Sequence, residues 1–237
     1  MKARLIATDR VADGTAGFTF EVDAPFTFEA GQTCDLTIRS PRYQDEKGSI
    51  RTFSIASPPV EAPRIMVATR LTGSAFKRSL LEAPVGYQIE LDGPSGSFVL
   101  HRNTAKPAVF FAGGIGITPF RSIIGDATLR KLPHRMTLFY SNRTPASTAF
   151  LPDLEAWQRQ NGNFRLIATI AEPSTGQPWS HDVGLIDAAF IRSHLPEWSE
   201  AICYLAGPPA FVKAMRAALE AVGADPDNLR SEEFDGY

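Results

Sequence analysis

The chain has 237 residues and a net charge of −2 at pH 7, with 43% hydrophobic and 21% charged residues, a globular make-up long enough for one large core or two ordinary ones. This balance gives no general reason to expect nucleic acid or an anionic membrane as partner, and no apolar run approaches the roughly 20 residues of a membrane-crossing helix. Two cysteines and four histidines without a paired spacing such as HExxH do not make an iron–sulfur or zinc site, so no metal is expected.

The opening "MKARLIATDR" lacks the apolar core of a signal peptide, and a cytoplasmic location is the expectation. "TAGFTFEV", "TCDLTIR", "RIMVATRL" and "YQIELDG" are short alternating segments, punctuated by the Gly- and Pro-containing "EAGQ", "SPPVEAP" and "DGPSGS". That rhythm predicts an antiparallel β-barrel or sandwich. Among these segments lies "SIRTFSIASPP" (49–59), extended, with Arg51 and Phe53 on one face and Thr52 and Ser54 on the other. "SAFKRSLLEAP" has helical spacing and predicts a short helix over one end.

From about residue 104 continuous apolar runs alternate with helical segments: "PAVFFAGG" with "TPFRSIIGDATL", "RMTLFYSN" with "AFLPDLEAWQRQ", "FRLIATIA" with "LIDAAFIRSHL", and "AICYLAGPP" with "AFVKAMRAALEAV". Such alternation marks a parallel sheet covered on both faces. The expected fold is therefore β plus α/β, an antiparallel β-barrel domain over 1–103 followed by a parallel-sheet nucleotide-binding domain over 104–237.

Ligands of open α/β sheets sit beyond the carboxyl ends of the strands, and three stretches lie there. "AGGIGITPF" (112–120) offers Gly113, Gly114 and Gly116 for a sharp turn close to a ligand, with Thr118 and Pro119 opening a helix; a plain structural turn also fits. "LAGPPAF" (205–211) repeats the arrangement with Gly207, Pro208 and Pro209. "YSNR" (140–143) brings Ser141, Asn142 and Arg143 to the same edge, where the guanidinium suits either a phosphate or the solvent. No nucleophile elbow, Walker loop or histidine–nucleophile pair accompanies them. Phosphate-binding turns without acid–base machinery suit hydride transfer, in which cofactors carry the chemistry.

Taken in order, "AGQ" (30–32), "RTFS" (51–54), "GPSGSF" (93–98), "GGIGITPF" and "CYLAGPP" resemble the motifs of the ferredoxin–NADP reductase family of flavoproteins over almost the whole chain. The departures are Phe53 in a tyrosine place and Ala30 in a proline place. The resemblance implies FAD as cofactor: Arg51 neutralises its pyrophosphate, Phe53 lies on the isoalloxazine, Ser54 donates to N5, and Thr52 flanks them. It places Thr69, Arg70, Thr72, Gly73 and Ser74, with the amides of Ala75 and Phe76, around a second phosphate contact. Thr118 then meets the nicotinamide carboxamide and Cys203 lies beside its C4. A C-terminal tail returns to the flavin, with Phe234, or alternatively Tyr237, covering its other face; Glu232 and Glu233 read as surface charges.

Arg143, with no acid directly after its strand, leans toward NADP(H) over NAD(H). The implied function is an FAD-dependent NAD(P)H oxidoreductase passing electrons to a separate ferredoxin, flavodoxin or haem protein. No four-cysteine ferredoxin segment accompanies these residues. A non-catalytic redox-sensing module and an electron-transfer subunit of a larger reductase are the alternatives. Arg39, Arg42, Lys47, Lys77 and Arg78 read as scattered surface cations, with a patch for an acidic carrier as the alternative, and a monomer is the default state.

Overall fold

The computed structural model describes residues 1–173, 178–195 and 200–234. Its first half holds β1 (Lys2–Ala12), β2 (Thr15–Val22), β3 (Thr33–Thr37), β4 (Ile50–Ser54), β5 (Arg64–Arg70), α1 (Ala75–Leu81) and β6 (Gln88–Ser95). The strands run in the order β4-β3-β6-β1-β2-β5, and every pairing is antiparallel. Alternation in β2 and β3 turns Phe18, Phe20 and Leu36 onto one inner cluster with Leu5, Val67 and Leu91. The two outer strands meet just past β4, where the Ala56 N–H donates to the Met66 carbonyl of β5 at 2.7 Å. That bond joins the two edges of the antiparallel sheet past the end of β4, without a strand ladder between β4 and β5.

β1 carries little periodicity of its own. It is a strand because β2 pairs along one edge and β6 along the other, and register shifts between Leu5 and Ala7 and between Arg10 and Ala12 bend it around the core.

The second half holds β7 (Ala108–Gly113), α2 (Ile117–Leu129), β8 (Met136–Asn142), α3 (Leu151–Gln160), β9 (Phe164–Ile170), β10 (Asp182–Val183), α4 (Ala188–His194), β11 (Ile202–Gly207), α5 (Pro209–Ala221) and β12 (Leu229–Glu233). All its pairings are parallel, in the order β10-β9-β8-β7-β11-β12. Every residue of β7 and β11 is buried, the physical reason for their unbroken apolar runs. One face packs Phe110, Leu138 and Tyr204 against Ile123 of α2 and Leu154 of α3; the other packs Val109, Phe139 and Leu205 against Ile191 of α4 and Met215 of α5.

Chain order moves outward from β7 through β8 and β9 to β10, then crosses back to β11 on the other side of β7. The reversal opens a crevice beyond the carboxyl ends of β7 and β11, where both glycine-containing turns lie. The segment leading into the C-terminal tail is a strand: β12 pairs with β11 from Cys203–Leu229 to Gly207–Glu233. Among the described residues no helix is long and apolar enough to cross a membrane.

Candidate cofactor cleft

A cleft of about 890 Å³ lies between the end of β4 and the crevice of the second sheet. The period-two geometry of β4 places Arg51 and Phe53 on a shared buried ring: the Arg51 guanidinium lies 5.5 Å over Phe76, and Phe53 is 5.9 Å from it. Arg51 Nη1 donates to the carbonyls of Lys47 at 2.8 Å, Gly48 at 3.1 Å and Ile50 at 2.6 Å, and Nη2 stands 3.4 Å from Asp45 Oδ1. These contacts fix the cation at one end of the cleft. Thr52 turns to Asp35 across the β3–β4 pair.

Ser54 closes β4 with a hydroxyl that is buried, lines the cleft and has no hydrogen-bond partner. A buried polar group left unpaired costs about 1–3 kcal/mol, so this oxygen is set to bond an occupant of the cleft. Aromatic Phe53, cationic Arg51 and unpaired Ser54 together fit a flat heterocycle carrying an anionic tail.

Thr72, Gly73 and Ser74 line the same end. Ser74 caps α1, its oxygen accepting from the Lys77 N–H at 3.4 Å, while the Ala75 N–H donates to Asp45 Oδ2 at 2.9 Å and holds that carboxyl below its usual range. Lys77, half-buried with its ammonium 3.2 Å from Thr72 Oγ1, has a lowered pKa, first from burial and then from Arg51, Arg70 and Lys47. A lysine so crowded by cations marks a positive end that favours an anion. Lys77, Lys47 and Asp45 are cleft residues that sequence reasoning missed; the cluster of cations at 47, 51, 70 and 77 was the available signal.

The opposite wall comes from the second domain. Thr118 opens α2 buried, its hydroxyl donating to the Ile115 carbonyl at 3.1 Å, and both line the cleft with Thr69, Ala68 and Phe234. Gly116 lets the first turn lie against the second: a β-carbon there would stand 2.2 Å from the Ala206 carbonyl oxygen. Gly113 abuts the Phe211 ring of α5, and Gly114, Gly207, Pro208 and Pro209 shape the turns without lining the cleft. Pro119 is buried inside α2. Phe234 is tethered by its N–H to the Gly207 carbonyl at 3.0 Å. Tyr237 lies outside the described residues.

Several expectations need correction. Cys203 is not in the cleft: strand alternation points it to the opposite face of the sheet, among Val109, Phe111 and Leu205, where burial pushes its thiol up to about 12. Phe76 is a core ring beneath Arg51 and Phe53, the Ala75 amide is already bonded, and Arg70 is exposed on β5 outside the cleft. Glu232 is no surface charge. Burial raises its carboxyl to about 7, and its Oε2 has no partner; Glu233 is exposed.

Ser141 and Asn142 end β8 and Arg143 follows it, all outside the cleft proper, and the buried Asn142 amide nitrogen is also unpaired. Arg143 Nε donates to Glu172 Oε1 at 3.0 Å, on an exposed pair. No acid directly follows β8, yet the segment just past the neighbouring β9 supplies Glu172. The remaining cations pair separately: Arg39 with Glu90, Arg42 with Glu82, and Arg78 over the Tyr43 ring at 3.9 Å.

Residues 110–217 match the oxidoreductase NAD-binding domain. The chain is 27% identical over 208 residues to reductase component 1 of terephthalate 1,2-dioxygenase from Comamonas sp, covering 87% of this chain and 59% of that protein. It thus spans less than two thirds of that relative. Among solved structures it is similar to an Amycolatopsis cytochrome P450 reductase, with TM-score 0.84, 23% identity and coverage of 99% and 70%. It is also similar to the flavohem-like FAD/NAD binding domain of a Vibrio cholerae nitric oxide dioxygenase, with TM-score 0.84, 18% identity and coverage of 98% of each chain. The two-domain fold is the one these solved structures share.

Proposed function

We propose that the protein is an FAD-dependent NAD(P)H oxidoreductase that hands electrons to a separate one-electron carrier, such as a ferredoxin, flavodoxin or haem protein. The observation that carries this reading is the single cleft joining a cationic end, an aromatic strand and an unpaired buried Ser54 hydroxyl to Thr118 and Phe234. FAD bound there would supply the two-electron chemistry, accepting hydride from a nicotinamide and releasing electrons singly.

The protein's own part is binding, orientation and exclusion of water. Arg51 and Lys77 neutralise the phosphates, Phe53 presents a face to the flat ring system, and the Ser54 O–H donates to its polar edge. Thr118 orients the nicotinamide, and the Phe234 ring covers the cleft on that side. The resemblance between the chain and FAD/NAD binding domains supports the pairing of cofactors.

The choice of nucleotide turns on Arg143. A 2′-phosphate would bond its guanidinium but must compete with Glu172, whose carboxylate equally suits a ribose diol. The reading is that NADPH retains an advantage through Arg143 and that Glu172 keeps it within about tenfold.

Anaerobic titration with NADPH and with NADH tests the assignment. The flavin-loaded protein should bleach with one equivalent of either nucleotide and turn over with an artificial one-electron acceptor. A chain that binds neither FAD nor FMN, or flavin that no nucleotide bleaches, would refute it. Steady turnover by the purified chain also excludes a purely sensory role.

A further inference from the structure

We propose that Arg121 and Ser122 are positioning residues that tie the strand end carrying Phe53 and Ser54 to the helix carrying Thr118, and so set the gap between the two halves of the site. Arg121 Nη1 donates to the Ala56 carbonyl at 2.8 Å, and Ser122 Oγ donates to the Ser57 carbonyl at 2.7 Å. Both bonds are buried and join the two domains. The proposal rests on the reading above for which groups face each other, but the tie itself belongs to the chain alone.

Each attachment point is close to the chemistry. Ala56 and Ser57 follow Ser54 by two and three residues, and Arg121 and Ser122 follow Thr118 by three and four. On a helix that spacing is a single stripe, so Thr118, Arg121 and Ser122 look toward the barrel together. Gly125 continues it: a β-carbon there would stand 3.0 Å from Trp157 and 3.4 Å from Pro58.

Segment 55–57 is held from both sides. On the barrel side the Ile55 N–H donates to the Gln32 carbonyl at 2.9 Å and the Ala56 N–H to Met66 at 2.7 Å. On the other side the helix holds the Ala56 and Ser57 carbonyls. The Arg121 side chain is itself locked, with Nε and Nη2 on Asp153 Oδ2 at 3.1 and 2.8 Å and the guanidinium over Phe150 at 4.7 Å and Trp157 at 5.5 Å. Phe150 accepts a left-handed backbone, φ +60°, to start α3 there. A planar cation with fixed donors on two sides acts as a strut, which a surface arginine could not.

The test compares the flavin-loaded wild type with Arg121→Met, Arg121→Lys and Ser122→Ala in anaerobic stopped-flow reduction by nicotinamide nucleotide. A misplacement approaching 1 Å between reacting groups lowers a rate by about 10- to 100-fold. Arg121→Met should show that loss in the limiting reduction rate, with the apparent nucleotide Kd within about threefold. Arg121→Lys should recover part of it, and Ser122→Ala should lose about three- to tenfold. Hydrogen exchange supplies a readout independent of cofactor: the amides of Ile55, Ala56 and Met66 should exchange about tenfold faster in Arg121→Met and Ser122→Ala, those of β2 unchanged. Unaltered limiting rates and exchange in Ser122→Ala and Arg121→Lys overturn the proposal even where Arg121→Met does not fold, as does a rate loss that merely tracks flavin loss. If the wild type is never bleached by nucleotide, the functional reading fails, and the exchange measurement still decides the tie.

Discussion

Glu232→Gln should stabilise the protein at alkaline pH and leave it almost unchanged at acid pH. Burial lifts the Glu232 carboxyl from 4.5 to about 7, and its Oε2 is out of water with no donor facing it. That rise corresponds to roughly 3 kcal/mol between the two protonation states, reduced to about 1–2 kcal/mol because some solvent still reaches the group. Because the folded-state pKa is raised, the advantage of the protonated form is fully present below pH 4.5 and is lost as pH climbs through 7. A glutamine never ionises and escapes the loss. Thermal melts followed by circular dichroism at pH 5 and pH 8 read it directly: the variant should melt about 3–6 °C above the wild type at pH 8 and within about 1 °C at pH 5. An equal shift at both pH values, or none at pH 8, would show that the carboxylate is solvated and the reasoning wrong.

The other predictions concern the cleft walls. Gly116→Ala forces a β-carbon to 2.2 Å from the Ala206 carbonyl, so it should cost about 3 kcal/mol or more, read as a lower denaturation midpoint with weakened nucleotide binding. Asp45→Asn removes an anion standing 3.4 Å from Arg51, so flavin retention in ultrafiltration should improve roughly fivefold, and poorer retention would show that the carboxylate helps the site. Glu172→Gln should raise the NADPH-to-NADH ratio of kcat/KM about five- to tenfold and Arg143→Ala should lower it. Identical ratios in both would remove that pair from nucleotide choice.

Legibility followed periodicity. β2, read as "TAGFTFEV", matches its strand end to end, because one buried face imposes a period of two. The buried runs of β7 and β11 were equally plain. β12 escaped notice: "LRSEE" has no apolar pattern, and what makes it a strand is a row of backbone bonds to β11, invisible in one segment alone. Glu232 was misjudged for the same reason, since a carboxylate at a chain end reads as solvated until a sheet covers it. Cys203 was displaced by alternation: proximity to "LAGPP" brings it near the turn in sequence, while its position in β11 turns the thiol to the far face. At the cleft, Arg51, Phe53, Ser54 and Thr118 were legible as motif residues. Lys77 and Asp45 were not, because their roles arise from a loop folding back on the start of α1.

The bond between the Phe234 N–H and the Gly207 carbonyl bears on how a planar guest would enter. On the function proposed above, with the main chain of Phe234 moored to the sheet edge, its ring would clear the cleft by swivelling about its own two torsions. Swivelling of that kind belongs to nanoseconds, whereas lids that rebuild backbone take microseconds or longer.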